Sequence, residues 1–205
     1  MENKESTTLE EIHKAAKAEF MEKGYAGASL RNIVKSVGMT TGAFYGYYDS
    51  KAALFGALVG KHYDYILSRF KEAQDRFAAL PKQDQMENMS NISGECMFDM
   101  LHYAYKHLDE FKLILLGSFG TRYCHLIDEM VDMEIKATDD YMKVLEELGQ
   151  SRPDIDTHLE HIIITGMFNT FFELIIHEMP LSEAEKYLKD MRAFYTAGWM
   201  KLLGS

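Results

Sequence analysis

The sequence predicts an all-α fold in which a small N-terminal domain of three helices precedes a larger helical domain. Long segments carry apolar residues at helical spacing. The signal of a β-strand, a sustained alternation of apolar and polar residues between turn residues, is missing. Only three Pro occur in 205 residues, of which 47% are hydrophobic, so the chain can bury a substantial core. We expect residues 1–55 to form the first domain and residues 56–205 the second.

The first helix is predicted from about Thr8 to Lys23, and Gly24 is expected to end it. Its core-facing residues recur three or four positions apart, at Leu9, Ile12, Ala16 and Phe20. Glu10 and Glu11 lie in its first turn, where the helix dipole favours negative charge. This helix is expected to carry the two shorter helices that follow.

The second helix begins after Ser29, whose side chain is expected to accept a hydrogen bond from an amide of the first turn. Its apolar residues again lie on one side, at Leu30, Ile33, Val34 and Val37. Gly38 follows at the position where a residue with left-handed backbone would end the helix. The sequence therefore predicts a tight turn at Gly38.

The third helix is predicted from Thr41 to about Tyr47, with the hydroxyl of Thr40 as its cap. It begins with small residues and then places Phe44 and Tyr48, four positions apart, toward the core. The hydroxyls of Tyr45 and Tyr47 point elsewhere and can donate to phosphate oxygens. In a helix-turn-helix the N-terminal residues of the second helix meet base edges in the major groove, so this arrangement suits DNA.

The run GMTTGAFYGYYDSKAALF resembles the DNA-binding domain of the TetR family of transcriptional regulators, and the match covers roughly Leu9 to Leu58. The resemblance implies that Thr40, Thr41 and Gly42 approach the bases. It also implies phosphate contacts, and the expected DNA-binding set is Ser29, Arg31, Thr40, Thr41, Gly42, Tyr45, Tyr47 and Lys51. Gly46 departs from the family, whose members often carry a larger polar or aromatic residue there. A contact is then missing, and the helix end is weakened by roughly 1 kcal/mol relative to Ala.

The distribution of charge decides whether an acidic chain can bind DNA. The formal net charge is −10, but residues 1–55 contain seven Lys or Arg and seven Asp or Glu, so the excess lies in residues 56–205. From Lys23 to Lys51 there are four basic residues and one acidic residue. A locally positive face still attracts phosphate, with strong salt dependence.

The remainder of the chain continues with helices separated by Pro, Gly and polar residues. A long fourth helix begins near Lys51, after a cap at Asp49 or Ser50, and reaches Phe77. Residues from Leu80 to Asn91 are polar and contain Pro81, which leaves a second possible domain boundary. The later helices are predicted at Ile92–His107, Phe111–Gly117, Thr121–Leu148, Asp156–Glu178 and Ser182–Leu203.

The helices after Ile92 are expected to enclose a small-molecule effector, because the resemblance implies a ligand cavity and bundle cores commonly bind small molecules. The chain contains 14 Met, an adaptable side chain that suits such a cavity but also fills ordinary cores. The expected ligand-binding set is Cys96, Met100, Tyr103, His107, Phe111, Tyr123, Met130, Phe168 and Phe172.

The last two helices are expected to form a homodimer. The first is apolar on almost every side, so one chain of this size can hardly cover it, and Pro180 separates it from the second. Two such helices from each of two chains would form a four-helix interface, which the resemblance also implies. The expected interface residues are Phe171, Ile175, Met191, Tyr195, Gly198, Trp199 and Leu202.

A polar stripe interrupts this apolar helix at four-residue steps: Thr165, Asn169, Glu173 and His177. It can be a solvent edge, a pocket lining or a set of interface hydrogen bonds. His158 and His161 share one helix face, but no cluster with a known metal-site spacing accompanies them, and we expect no metal and no cofactor. No GxSxG motif or Gly-rich phosphate loop is present, so we expect no enzyme.

Two isolated cysteines, Cys96 and Cys124, provide no disulfide framework and fit a reducing cytoplasm. No signal peptide is visible, and the most apolar run, residues 162–176, is too short to cross a membrane. The partners expected are an operator in double-stranded DNA, a small-molecule effector and a second copy of the chain. The sequence does not name the operator, the effector or the sign of regulation.

The sequence therefore predicts a homodimeric, ligand-responsive DNA-binding regulator, a repressor by resemblance, which a small apolar or cationic molecule releases from its operator. A second hypothesis is a helical small-molecule binding protein or enzyme of the same fold that no longer binds DNA. Gly46 and the net acidity favour this alternative.

Overall fold

The structure is a computed structural model that describes residues 2–150 and 155–202, with side chains from residue 7 onward. These residues form α-helices, one 3₁₀ turn and no strand, so the predicted all-α class is confirmed. The helices are α1 (Glu2–Gly27), α2 (Leu30–Ser36), α3 (Thr41–Phe44), α4 (Lys51–Ala78), α5 (Lys82–Tyr105), α6 (Leu108–Gly117), α7 (Leu126–Glu147), α8 (Thr157–Ile176) and α9 (Leu181–Leu202), and the 3₁₀ turn is Arg122–His125. The predicted end of the last helix at Leu203 lies outside the described residues.

The described helices group into two compact units. Unit 1 comprises the chain up to Asp64 together with His107–His125, and unit 2 comprises Tyr65–Lys106 together with the chain from Leu126 onward. α4 therefore contributes residues to both units, and α6 belongs to unit 1 although it follows α5 in sequence. The division of the chain into a DNA-binding domain, residues 1–55, and a second domain, residues 56–205, remains a prediction.

Unit 1 has an aromatic core between α1 and α4. The rings of Phe20 and Phe55 meet edge to face, with centroids 5.0 Å apart, and both side chains are fully buried. α6 packs against α1, and Gly24 and Gly117 allow the two backbones to approach closely. Gly24 has φ 64° and ψ 170°, a conformation that essentially only glycine adopts, so the predicted stop is present as a kink that separates the last residues of α1, Tyr25–Gly27, from the rest of the helix.

Unit 2 is a helical bundle in which α7 packs on α8 and α5 packs on α9. Stacked rings of Tyr65 and Tyr103, with centroids 3.6 Å apart, join α4 to α5. The ring of Phe70 meets Phe168 of α8 edge to face at 5.3 Å. These contacts leave the second part of α4 inside the bundle, where it can line a cavity.

The polar segment after Leu80 is helical, and the expected start of a helix near Ile92 is wrong. α5 begins at Lys82, directly after Pro81, because proline lacks an N–H that the first turn of a helix would leave unpaired. Gln85 is almost fully buried, and its amide donates to the carbonyl oxygen of Leu80 at 3.3 Å. The break between α4 and α5 is therefore short and lies at Leu80 and Pro81, and the polar residues that follow are helical.

α8 is long and apolar enough to cross a membrane by length and composition alone, because it begins at Thr157, before the apolar run at residues 162–176. Core helices of soluble proteins pass the same test, so this finding is weak evidence for a membrane. Ile164, Phe168 and Phe171 are buried within the protein.

Candidate nucleic-acid interface

The turn between α2 and α3 follows from the backbone freedom of Gly38. Gly38 has φ 66°, and its amide donates to the carbonyl oxygen of Lys35 at 3.1 Å. The amide of Met39 donates to the carbonyl oxygen of Val34 at 2.8 Å. These two bonds form a Schellman motif, which satisfies the last carbonyls of α2 and reverses the chain. The predicted turn is therefore present at the expected glycine.

α3 starts at the predicted residue but ends sooner. The hydroxyl of Thr40 accepts a hydrogen bond from the amide of Ala43 at 3.1 Å, which is the predicted cap. The helix ends at Phe44 and not near Tyr47, because the amides of Gly46 and Tyr47 bond three residues back and tighten the chain into a turn. α3 therefore presents a single turn to solvent.

The first residues of α3 are exposed, and its anchor is buried. Thr41, Gly42 and Ala43 face solvent, whereas Phe44 is fully buried, as predicted. Tyr48 is half-buried, and its hydroxyl lies 2.5 Å from Nε2 of His13 in α1. This contact fixes the end of the motif against α1, so the small residues of α3 project outward from a rigid support.

Tyr45 and Tyr47 extend the same exposed surface. Their side chains are 53% and 37% exposed, and the ring of Tyr45 meets that of Phe44 edge to face at 5.6 Å. A tyrosine hydroxyl on an exposed, partly supported ring can donate to a phosphate oxygen. Both predicted phosphate-contacting tyrosines thus lie on the exposed side of the motif.

The start of α2 is capped by Glu19 and not by the predicted Ser29. The Ser29 hydroxyl makes no capping bond, and this expectation is wrong. The Glu19 carboxylate of α1 accepts instead from the amide of Ser29 at 3.0 Å and from the amide group of Asn32 at 3.3 Å. The bonds from Ser29 and Lys23 lower the pKa of Glu19, because they stabilise its charged form.

Arg31, another residue predicted to bind DNA, is exposed on α2.

Lys51 holds the link between α1 and α2. Its ammonium donates to the carbonyl oxygens of Tyr25 at 2.7 Å and Ala28 at 3.0 Å, and it lies 4.4 Å from the centroid of the Tyr25 ring. An ammonium group has three N–H donors, so these two bonds leave one for a phosphate. Ser50, one of the two expected caps, accepts from the amide of Ala53 at 3.0 Å and starts α4.

The exposed turn, its caps and the positive stretch from Lys23 to Lys51 define a helix-turn-helix DNA-binding protein. Residues 6–58 match the family model for bacterial regulatory proteins of the TetR family. This match includes the whole helix-turn-helix and identifies residues 6–58 as a DNA-binding domain of the TetR type. A comparison with curated proteins found no match.

Solved structures similar to this chain show the same fold. A transcriptional regulator of the TerR/AcrR family from Aquifex aeolicus is 22% identical over 89% of this chain and 96% of its own, with a TM-score of 0.54. A TetR-family regulator from Bordetella parapertussis is 16% identical over 96% and 98%, with a TM-score of 0.58. GusR of Salmonella enterica is 17% identical over 97% and 96%, with a TM-score of 0.57. At these identities the likeness concerns the fold alone.

The residues predicted to bind a ligand are divided between the units. Unit 2 contains Cys96, Met100, Tyr103, Met130, Phe168 and Phe172, and unit 1 contains His107, Phe111 and Tyr123. Cys96 and Phe168 line a cavity of about 180 Å³ in unit 2, whereas Met100, Met130 and Phe172 are buried away from its lining. The predicted set therefore does not enclose one cavity within a single unit.

The cavity in unit 2 is lined by many residues that sequence reasoning missed. Methionines from three helices contribute, and they are Met86, Met89, Met97, Met167, Met191 and Met200. The high Met content is the signal that could have found them. Arg192 and Glu134 also line this cavity, and the Tyr141 hydroxyl in its wall is buried with no hydrogen-bond partner. The cavity is thus apolar with a few polar groups.

Glu134 has the most unusual electrostatics in this cavity. Burial raises its pKa from 4.5 to about 7; the negative charge of Glu160 adds to this effect, and a hydrogen bond from Gln74 at 2.5 Å opposes it. The folded chain therefore holds this proton more tightly than the unfolded chain does. The resulting stabilisation is full below pH 4.5 and is lost as the pH rises through about 7.

The residues predicted for a dimer interface lie in three environments. Phe171 and Ile175 are fully buried within their own chain, so they have no area left to bury against a partner. Met191, Tyr195 and Trp199 line the cavity of unit 2, Gly198 is exposed, and Leu202 is half-buried. The exposed apolar residues of α8 and α9 are others, namely Leu159, Ile162, Leu181, Tyr187 and Phe194.

The polar stripe of α8 lies mostly at the solvent edge. Asn169, Glu173 and His177 are exposed, and Nε2 of His177 is 2.8 Å from a carboxylate oxygen of Glu173. Thr165 is half-buried, and its hydroxyl has no hydrogen-bond partner. Glu173 is therefore not among the groups that line the cavity in unit 2.

We expect Lys51→Met to lower the free energy of unfolding by about 1–3 kcal/mol, because a charged donor to two carbonyls is lost. Urea unfolding followed by circular dichroism measures this change. Lys14→Met is the matched control, since Lys14 is exposed on α1, and it should change stability by less than about 0.5 kcal/mol. Equal stability of the two variants would contradict a structural role for Lys51.

Proposed function

We propose that this chain is a homodimeric transcriptional regulator of the TetR family whose affinity for a DNA operator is controlled by a small molecule bound in unit 2. The proposal includes repression that the effector relieves, and it places the protein in the cytoplasm. The observation that carries it is the exposed first turn of α3, whose small residues and Thr40 cap are held on a buried Phe44. The other parts rest on the exposed faces and the cavity of unit 2.

In the proposed complex, α3 enters the major groove. Thr40, Thr41 and Gly42 approach base edges, where a hydroxyl can donate or accept and a glycine permits close contact. Tyr45 and Tyr47 donate to phosphates on the flank, and Arg31 adds a positive charge from α2. Base contacts then specify the operator, while phosphate contacts set the position of the motif.

The exposed cation on α2 provides a test of DNA binding that needs no known operator. Arg31→Gln should weaken binding to a labelled random duplex and reduce the slope of log K against log [salt] by about one for each bound protomer, because one phosphate contact is lost. Fluorescence anisotropy at several salt concentrations measures both quantities.

The matched control is Lys143→Gln, which removes the same charge from the exposed surface of α7 and should leave the slope unchanged. Equal slopes for wild type and Arg31→Gln would contradict the proposed contact. If wild type fails to bind duplex DNA even at low salt, the alternative of a helical binding protein or enzyme that has lost DNA binding is favoured.

The proposed dimer uses the exposed apolar faces of α8 and α9. Ile162 is 64% exposed and Phe194 is 74% exposed, and the exposed Gly198 lies four residues beyond Phe194 on the same face. Burial of these exposed side chains against a second copy of the chain would remove apolar surface from water. Two recognition helices must meet successive major grooves about 34 Å apart, which a two-fold dimer achieves.

We expect Phe194→Glu to convert the dimer to a monomer, because it would bury a carboxylate at the centre of the apolar contact. Sedimentation velocity measures the change. Phe119→Glu is the control, since Phe119 is equally exposed but lies in unit 1. A dimer that persists in Phe194→Glu and dissociates in Phe119→Glu would assign the interface to another surface.

The proposed effector is an apolar molecule with a cationic or hydrogen-bond-donating group. The methionines adapt to an apolar body, and Glu134 can accept from a polar group or pair with a positive charge. The proposed route to DNA is α4, since Phe70, Gln74 and Phe77 of this helix line the cavity and its first part belongs to unit 1. A ligand that prefers one arrangement of α4 shifts the population of that arrangement.

The charge of Glu134 makes a pH-dependent prediction. Octylamine, which is cationic at both pH 6 and pH 8, should raise the melting temperature more at pH 8, because Glu134 loses its proton as the pH passes about 7. The neutral analogue 1-octanol should show no such difference. Glu134→Gln should remove the pH dependence for octylamine, while the control Glu129→Gln, exposed on the same helix, should keep it. An unchanged pH dependence in Glu134→Gln would contradict this part of the proposal.

A further inference from the structure

Two histidines and one glutamate converge in unit 1, outside the helix-turn-helix and outside the cavity of unit 2. His62 lies in α4, His107 is the residue before α6, and Glu110 lies in the first turn of α6. One ligand atom from each of the three side chains lies within 4.8 Å of the other two. The imidazole rings of His62 and His107 are 4.4 Å apart between centroids, at 45° to each other.

The chemistry of these groups suits a transition metal ion. Two imidazole nitrogens and one carboxylate oxygen are the ligand set of many catalytic zinc sites, and three protein ligands leave a position open for water or another ligand. Imidazole favours Zn²⁺, Ni²⁺ and Co²⁺ over Mg²⁺ and Ca²⁺, which prefer oxygen ligands. The mixed set therefore indicates a divalent metal of the zinc type.

The geometry is close to that of a bound site. Metal–ligand distances near 2.1 Å place two tetrahedral ligands about 3.4 Å apart, so ligand atoms that lie within 4.8 Å of one another need to approach by at most about 1.5 Å. His62 is only 2% exposed, so its position is fixed by packing, whereas His107 and Glu110 are half-buried and can adjust. The fixed imidazole of His62 and the two side chains that can adjust therefore favour metal binding with little rearrangement of the backbone.

Lys17 of α1 pairs with Glu110, so a metal ion would have to compete with this ammonium for the carboxylate. Its ammonium lies 2.5 Å from a carboxylate oxygen of Glu110 and 3.6 Å from one of Asp109. Asp109 can keep the ammonium paired if Glu110 turns toward a metal. The negative charges of Glu110 and Asp109 together offset Lys17 and one charge of a divalent ion, so the site does not accumulate a large positive charge.

We propose that His62, His107 and Glu110 form a binding site for a divalent transition metal, with Zn²⁺ as the expected ion, in the unit that carries the helix-turn-helix. The ion would join α4 to the start of α6. Because α6 packs on α1, and α1 packs on α2, a metal bound there would stabilise the support of the DNA-binding motif. Metal binding is measured without DNA or effector, so its failure leaves the proposed regulatory function untouched.

The experiment titrates Zn²⁺ alone into the full-length chain, prepared without a histidine tag, and follows binding by calorimetry and by the visible absorption of Co²⁺ as a substitute ion. Wild type should bind one ion per chain. His107→Gln and Glu110→Gln should each weaken binding by more than about tenfold, since loss of even an outer partner of a metal ligand costs about 10–100-fold. Both residues are half-buried, so these variants keep the test decisive if His62→Gln fails to fold.

The control is the double variant His158→Gln and His161→Gln, which removes two exposed histidines of α8. It should bind Zn²⁺ as tightly as wild type does. The proposal is overturned if wild type binds no Zn²⁺ at 1:1 stoichiometry, if His107→Gln binds as tightly as wild type, or if only the His158 and His161 variant loses binding.

Discussion

The helix-turn-helix depends on charged side chains that bind backbone groups at the link between α1 and α2. Lys51 donates to the carbonyls of Tyr25 and Ala28, after the kink in α1, and Glu19 accepts from the amide of Ser29, the residue before α2. Hydrogen bonds with a charged partner are roughly twice as strong as neutral ones. α2 and α3 contain seven and four residues, which is too short for a helix to be stable alone, so these anchors and the buried Phe44 hold the motif.

The same unit contains the proposed metal site. His107 and Glu110 lie at the start of α6, and α6 packs on α1 through the close approach of Gly24 and Gly117. A metal ion bound in the proposed site would act on α1, which supports the motif, because α6 packs on α1. The proposed regulator therefore receives one input in each unit, a metal ion in unit 1 and an apolar effector in unit 2.

Unit 2 combines features that reduce stability with features that serve recognition. A buried carboxyl with a raised pKa costs stability once it ionises, and groups of this kind concentrate at functional sites. The surrounding methionines are flexible and specify a single packing weakly. The exposed Ile162 and Phe194 add apolar surface on the outside of α8 and α9. In the proposed function, Glu134 and the methionines bind the effector, and Ile162 and Phe194 bind the second copy of the chain. A tightly packed monomer without a ligand would need none of these features.

The sequence by itself determined the turn of the helix-turn-helix, the cap of α3 and the residue that anchors α3. Gly38, Thr40 and Phe44 act within a few residues of themselves, so the turn, the cap and the anchor could be predicted. Only the tertiary structure decided that Phe171 and Ile175 face inward while Ile162 faces outward, because periodicity does not show which neighbour covers each side of an apolar helix. The cavity position of Glu134 and the approach of His62 to His107 also depend on packing between residues that are far apart in sequence. The residues near each position in the sequence determine its backbone conformation. Only the packing of helices that are far apart in sequence places Glu134 in the cavity and brings His62 to His107.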